Sequence, residues 1–375
     1  MNTVAPLDLG YLPVMPKRRD LGIGVVGAGF IVCHCHLVAY QNAGFKLVGL
    51  TSRTMSTARE VAQLRKVPHV FPTLEAMLDN PEIDVVDVAV PPSEQPEVIR
   101  RILAHPRKLK GILAQKPLAM NPVEAKPLVE ACERAGVLLQ INQNMRYDQS
   151  IRACKNLLDR EVLGTPVLAT IEMRAIPHWM SWARDGRSLS TYIMSIHHLD
   201  TLRYWLGDPE RVMASTRPDP RTEFAHEDGI NLYILEYENG ARASGWDDVW
   251  AGPAREGAGA DIAIRWRVEG TLGLATGTIG WPGWPARVPS TIDYTTTSDA
   301  EAWFRPRWPE AWFPDAFAGT MAGLLCAIED GVEPDISGRD NLKTIELCEA
   351  VLTSAKEHKM VSLPMKSTLQ QSPSL

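Results

Sequence analysis

The sequence contains no run of about 18 apolar residues, the minimum that crosses a bilayer as a helix, and its N-terminus lacks the charged, apolar and small-residue order of a secretory signal. A cytoplasmic protein with no membrane partner is therefore expected. Cysteine is scarce: six thiols at positions 33, 35, 132, 154, 326 and 348 are scattered through 375 residues, which suits reduced side chains better than a disulfide framework. Basic residues are also short, 39 Lys and Arg against 45 Asp and Glu. The resulting net charge of -6 argues against a nucleic-acid surface, which needs clustered cations to neutralise phosphates. The expected partner is a small molecule. No internal repeat is present.

What the chain does have is length and apolar content. At 375 residues it exceeds the usual size of one hydrophobic core, and 45% apolar residues suffice to bury two. Residues 1–20 hold Pro6, Pro13, Pro16 and the basic cluster Lys17, Arg18, Arg19, so they form either a floppy leader or an arm that packs on another subunit. From Leu21 to Ile141 short β-rich runs alternate with helical stretches. The runs are Ile23–Val26, Lys46–Leu50, Val85–Val90, Gly111–Ala114 and Val137–Ile141. Apolar runs without polar alternation are what a parallel sheet covered on both faces requires, so a doubly wound domain is expected at 21–144. Its last helix has a clear start, with Asn121 as N-cap, Pro122 at the first position and Glu124 at the third.

Beyond Met145 the texture changes. A helix near Gln149–Arg160 leads into alternating runs at Val167–Met173, Val212–Thr216, Leu232–Tyr237, Arg242–Trp246, Ile262–Val268 and Leu272–Thr278, interrupted by a helix over Thr191–Leu206. Such runs predict a large, open, mostly antiparallel sheet in an α+β domain at 145–364, closed by helices at Asp315–Asp330 and Asp340–His358 and followed by a tail, 365–375. An open sheet with an apolar face needs a cover, so a homo-oligomer is expected. All eleven tryptophans lie between Trp179 and Trp312. The loops Pro177–Trp182, Trp281–Pro285 and Trp303–Trp312 are candidates either for stacking on sugar faces or for a subunit interface.

Gly27-Ala28-Gly29-Phe30-Ile31 follows a strand and opens a helix, the context of a dinucleotide fingerprint. Gly27 permits the tight turn, Gly29 lets the backbone approach a pyrophosphate, and the helix N-terminus offers amides; Val32 replaces the third glycine. The next strand ends in Thr51-Ser52-Arg53, where a carboxylate for the ribose 2′-hydroxyl would favour NAD. Its absence, with Arg53 at hand, permits NADP without requiring it. Gln115-Lys116-Pro117 ends the strand at 111–115, on the carboxyl edge where sheets of this class hold ligands. A lysine there acts on a substrate hydroxyl if burial lowers its pKa; otherwise it is an ordinary surface lysine. Cys33-His34-Cys35-His36 has metal-ligand residue types, but successive residues on one helix turn face different sides, so no metal site is expected.

In order and spacing, Gly27–Ile31, Ala114-Gln115-Lys116-Pro117-Leu118-Ala119, Asn144-Met145-Arg146-Tyr147, and Ile196-His197-His198-Leu199-Asp200 with Gly207 resemble the Gfo/Idh/MocA family. The resemblance runs over about Leu21–Pro364. It implies a Rossmann domain, a second α/β domain whose sheet often forms the subunit interface, and hydride transfer between NAD or NADP and a hydroxyl carbon of a sugar, glycoside or cyclitol. It also places the family's lysine on Lys116, in contact with nicotinamide and substrate, and its acid/base histidine, three residues before an aspartate, on His197. Two departures stand out: Gln115 replaces the usual glutamate, and Ile193 stands where many members carry an aspartate.

The cofactor-binding residues expected from these segments are Gly27, Gly29, Phe30, Ile31, Ser52, Arg53, Pro91, Gln115, Lys116 and Asn144. Those expected for substrate are Lys116, Tyr147, Trp179, His197 and His198, with Lys116 and His197 catalytic. Periodicity alone does not choose between the histidines: with Leu199, Leu202 and Leu206 on the buried face, His197 points away from it and His198 lies at its flank. A redox-elimination lyase or glycosidase that retains its NAD, and a non-catalytic dinucleotide-binding regulator, are the alternatives.

Overall fold

The computed structural model describes residues 7–174, 188, 190–222, 224–248, 262–280, 285–299 and 302–365. The first half alternates β1 (Ile23–Val26), a π-helical turn (Val32–His36) continuing into α1 (Leu37–Asn42), β2 (Leu47–Thr51), α2 (Met55–Arg65), β3 (His69–Val70), α3 (Leu74–Leu78), β4 (Val85–Val88), α4 (Gln95–Ala104), β5 (Gly111–Gln115), α5 (Pro122–Ala135) and β6 (Leu138–Asn142). All six strands are parallel, in the order β3-β2-β1-β4-β5-β6. The order reverses direction between β1 and β4, and at that point the loops leaving their carboxyl ends part to make a crevice. Every residue of β1 and β4 is buried, in keeping with their apolar runs, which only Asp87 interrupts. Asn121 caps α5 by accepting the Glu124 N–H at 2.8 Å, and Gly136, in the left-handed region, ends it.

A 3₁₀ turn (Asn144–Tyr147) leads out of this sheet to α6 (Gln149–Asp159), whose N-terminus is capped by Asp148. There follow β7 (Pro166–Arg174), a second π-helical turn (Thr191–Ser195), α7 (Ile196–Leu206), β8 (Arg211–Arg217), β9 (Ile230–Glu236), β10 (Arg242–Asp248), β11 (Ala263–Gly270), β12 (Gly273–Ile279), β13 (Thr291–Thr296), α8 (Trp312–Asp330), α9 (Gly338–Glu357) and β14 (Val361–Ser362). The second sheet runs β13-β12-β11-β7-β10-β9-β8-β14. All its pairs are antiparallel except β7 with β10. Burial alternates strictly along β9 and β10, so one face meets the helices and the other is left open. No helix among the described residues is long and apolar enough to cross a membrane.

Two arrangements were not visible in the sequence pattern. Residues 7–20 lie along the chain's own surface: Arg152, Asn156 and Arg160 of α6 and its end donate to the carbonyls of Tyr11, Leu9 and Asp8, and the Tyr11 ring stacks on Trp308 at 4.2 Å. The floppy leader is thus corrected for these residues, because polar side chains of α6 hold the backbone. Helix α8, which follows the second sheet in sequence, packs on the first π-helical turn, α1, β5 and β6, and buries Phe317, Met321, Leu324 and Leu325 in the same core cluster as β1 and β2. The two sheets are separate, but their cores are not.

That interlocking sets a stability expectation. Met321→Ala, deleting a fully buried side chain from this shared core, should lower unfolding free energy by about 2–5 kcal/mol. In urea titration the midpoint should fall with the slope unchanged; an unaltered midpoint would mean that α8 is only appended to the first sheet.

Candidate active site

The crevice begins at the glycine loop. Gly27 has φ +123°, and a Cβ there would sit 2.2 Å from the Ala89 carbonyl oxygen, so the crossing of the β1 and β4 loops admits only glycine. Its N–H donates to Thr51 O at 2.8 Å. Gly29 is different: it is exposed, and a Cβ on it would meet nothing within 4 Å. The vacant space over Gly29, in front of a helix N-terminus, fits the close approach of a pyrophosphate. Val32, at the third fingerprint position, is fully buried and fills the strand-packing site.

Around this loop, Phe30 is exposed with its ring 4.9 Å from His34, and Ile31 is half-buried. Ser52 and Arg53 leave the end of β2, where a ribose would lie. The Arg53 guanidinium meets Glu94 at 2.5 Å, an exposed pair that salt and a bound anion readily exchange. The Pro91 carbonyl accepts the N–H groups of Glu94 and Gln95, fixing the turn into α4. Cys33 and Cys35 are packed in the π-helical turn, where burial pushes the Cys35 thiol up; His34 faces Arg65 and His36 faces Asp87. Among the described residues no three His, Cys, Asp or Glu are placed to hold a metal ion.

Lys116 projects from the turn after β5, before a cis peptide to Pro117. The turn is clamped by Gln95, a fully buried residue that the sequence reading missed: its Nε2 donates to the carbonyls of Gln115, Pro117 and Leu118 at 2.7–3.2 Å, and its Oε1 accepts the Gln115 N–H. No local signal marks it, since its partners lie about twenty residues on. The Lys116 ammonium donates to the Ile193 carbonyl at 2.6 Å, an acceptor in the π-helical turn before α7. Burial pushes its pKa down to about 7, against a smaller opposing effect of the Cys348 thiol.

His197 opens α7 and is 6% exposed, with Nδ1 buried and without a hydrogen-bond partner. Burial holds its pKa well below the ordinary value, and the positive charges of Lys116 and His198 act in the same direction. Its ring meets Trp312 edge-on at 5.4 Å, and Trp312 Nε1 donates to Asn144 Oδ1 at 2.8 Å. Lys116, His197, Trp312 and Asn144 therefore converge on one place, although they come from four separate segments.

Three expectations need correction. Helix α7 is buried nearly all round, not on a leucine face alone, because it runs between the second sheet and the closing helices. His198 is 1% exposed and lies 2.8 Å from Asp247 of β10, whose other oxygen accepts from Ser195. It braces the sheet instead of facing a ligand. Tyr147 is buried with its ring against Gly319 and Gly323 of α8, where the missing side chains make room for it, and none of its described contacts is with Lys116 or His197. Trp179, with the rest of Pro177–Trp182, and Trp281 and Trp284 lie outside the described residues. Asp200, whose spacing singled out His197, accepts a two-pronged ion pair from Arg146 at 2.6 and 2.7 Å.

The two glycines give a test that separates folding from binding. Gly29→Val should melt within a degree or two of the parent while losing NAD(H) and NADP(H) binding by calorimetry, roughly a 100-fold or greater fall in affinity for a blocked backbone approach. Gly27→Ala should instead lower the melting temperature, since its Cβ strikes Ala89. Unimpaired binding in Gly29→Val would remove the pyrophosphate from this loop.

Comparison with known proteins agrees with this geometry. Residues 21–143 match the Gfo/Idh/MocA oxidoreductase family with its NAD-binding Rossmann fold, and residues 151–276 match the family's C-terminal domain. D-apiose dehydrogenase of Paraburkholderia graminis is 28% identical over 354 residues, covering 90% of this chain and 88% of its own. Inositol 2-dehydrogenase 3 of Saccharopolyspora erythraea is 25% identical over 350 residues, covering 92% and 96%. Among solved structures, an oxidoreductase from Agrobacterium radiobacter in complex with NAD+, L-tartaric acid and magnesium superposes with a TM-score of 0.77 at 21% identity, covering 92% of this chain and 98% of its own. Levoglucosan dehydrogenase in complex with NADH and L-sorbose does so with 0.76 at 18%, covering 93% and 100%. The chain belongs to the Gfo/Idh/MocA family of NAD-binding oxidoreductases.

Proposed function

We propose that this oxidoreductase moves a hydride between nicotinamide and a hydroxyl carbon of a sugar, glycoside or cyclitol, with Lys116 and His197 handling the hydroxyl proton. The observation that carries the reading is the Lys116 ammonium, brought to a pKa of about 7 beside a buried histidine whose Nδ1 has no partner. When bound, the dinucleotide supplies the nicotinamide carbon that accepts or returns the hydride; Gly27, Gly29, Ser52 and Arg53 would hold its pyrophosphate and ribose. Oxidising an alcohol also requires the O–H proton to leave. Neutral Lys116 takes it at Nζ, and the Ile193 carbonyl aims that nitrogen by accepting one of its N–H bonds. His197 stays neutral because burial disfavours its charged form, an effect to which a charge on Lys116 adds, so its ring holds the hydroxyl by hydrogen bond. His197 is buried and Lys116 partly so. The substrate class rests on the sugar and cyclitol dehydrogenases among the relatives, and Trp312 offers an apolar ring edge at the same place.

We further propose that the open face of the second sheet is covered by another copy of the chain. On that face Met213, Leu232 and Ile234 are each about half exposed, at 49–50%, on the neighbouring strands β8 and β9. Apolar side chains grouped this way on a sheet favour association. The six cysteines are unpaired, in keeping with a reducing, cytoplasmic setting.

Two measurements follow. A screen of pyranoses, glycosides and inositols for NADH or NADPH formation should find a substrate on which turnover rises with pH through about 7, because the lysine must lose its proton before it can accept one. Lys116→Met should lower kcat by about two to four orders of magnitude with cofactor affinity nearly intact; near-normal turnover would assign the proton transfer elsewhere. Ile234→Lys should reduce the mass seen in light scattering to that of a single chain, and an unchanged larger mass would place the interface on another face.

A further inference from the structure

A polar cluster lies buried beneath the carboxyl edge of the first sheet, one layer below Lys116. His36, at the end of the first π-helical turn, and Asp87, inside β4, are both fully buried. His36 Nδ1 lies 2.6 Å from Asp87 Oδ2, and the Tyr40 hydroxyl donates to the same oxygen at 2.9 Å. Burial and the Asp87 charge hold the Tyr40 phenol well above its ordinary pKa, so it remains a donor. On the far side of the imidazole, Nε2 is 3.1 Å from Asn142 Nδ2 and 3.3 Å from Gln115 Nε2. The Phe317 ring of α8 closes the remaining side at 5.0 Å. Among the described residues, Asp87 is the one charged side chain recorded in contact with the imidazole.

This arrangement decides where the ring proton sits. A nitrogen facing the Gln115 amide nitrogen accepts, since an N–H there would point at an N–H group. The Gln115 amide is oriented independently: its Oε1 accepts the Lys116 N–H at 3.0 Å, which turns its nitrogen toward His36. The proton therefore lies on Nδ1, toward Asp87, and the ring is neutral. We propose that His36 is a positioning residue for hydride transfer, a neutral imidazole whose bare Nε2 fixes Gln115 and, through it, the turn from which Lys116 projects. The role rests on the reading of Lys116 given above. It also accounts for glutamine at position 115: a carboxylate there would need an N–H on Nε2, hence an imidazolium. Glutamine with neutral histidine and glutamate with imidazolium differ by one proton and leave the cluster's net charge unchanged.

Nitrogen NMR of the histidine rings in the intact protein, with His36 assigned through its contacts with Tyr40 and Phe317, reads this directly. At neutral pH His36 should show a protonated Nδ1 and a bare Nε2. A proton on Nε2 overturns the proposal. In Gln115→Glu the same ring should carry both protons at neutral pH; a ring still singly protonated also overturns it. Gln115→Leu should lower kcat by about 10- to 100-fold, the effect of a slightly misplaced reacting group, a larger change than in KM or dinucleotide affinity. Gln115→Glu should recover much of that loss, and an unchanged kcat in Gln115→Leu would rule out positioning. Failure of the Lys116 reading shows separately, as normal turnover in Lys116→Met with the His36 ring state unaltered.

Discussion

Arg146 carries a charge that the fold has to meet on three sides. It leaves the first sheet on the 3₁₀ turn after β6, pairs with both oxygens of Asp200 on α7, and reaches Asp340 at the start of α9 at 2.7 Å. Arg203 joins from α7 through the same Asp340, and the Thr344 hydroxyl donates to Asp200. A guanidinium taken out of water is tolerated only when its donors are matched, and removing one partner leaves an uncompensated charge. The network therefore fixes where α7 begins, and with it how far His197 and the Ile193 carbonyl lie from the edge that carries Lys116. Asp340 is held as a carboxylate below its usual range by the same two arginines, despite its burial. The site's geometry is thus set by groups that never touch a substrate.

Local chemistry made much of this legible. The glycine loop, the apolar strands, the Asn121 cap and the run of alternating strands each arise from interactions a few residues apart, and pattern alone finds them. Lys116 stands out in the sequence because it follows the end of a strand on the edge where ligands collect. What the pattern missed is long in sequence and short in space. Gln95 reaches Gln115 twenty residues on, His36 meets Asp87, and α8 returns across the second sheet to complete the first core. His198 and Tyr147 were misplaced for the same reason: a buried histidine opposite a carboxylate, and a tyrosine lying over two glycines, are settled by strands and helices far along the chain.

The two π-helical turns occur in the two helices that carry the site's chemistry, one after the glycine loop and one before His197. A π turn holds one residue more than an α turn and redirects the carbonyls around it, and it is enriched where function needs an atom out of its regular place. In the second turn that atom is the Ile193 oxygen.

Because Lys116 is held by that backbone oxygen and not by a side chain, its anchor survives any substitution at position 193 that keeps the turn. The half-buried residue there can be exchanged, large for small, without removing the oxygen that holds Lys116. The side chain at position 193 can then change while the acceptor that aims Lys116 is inherited intact, so the shape of this place and the aim of the lysine evolve as separable traits.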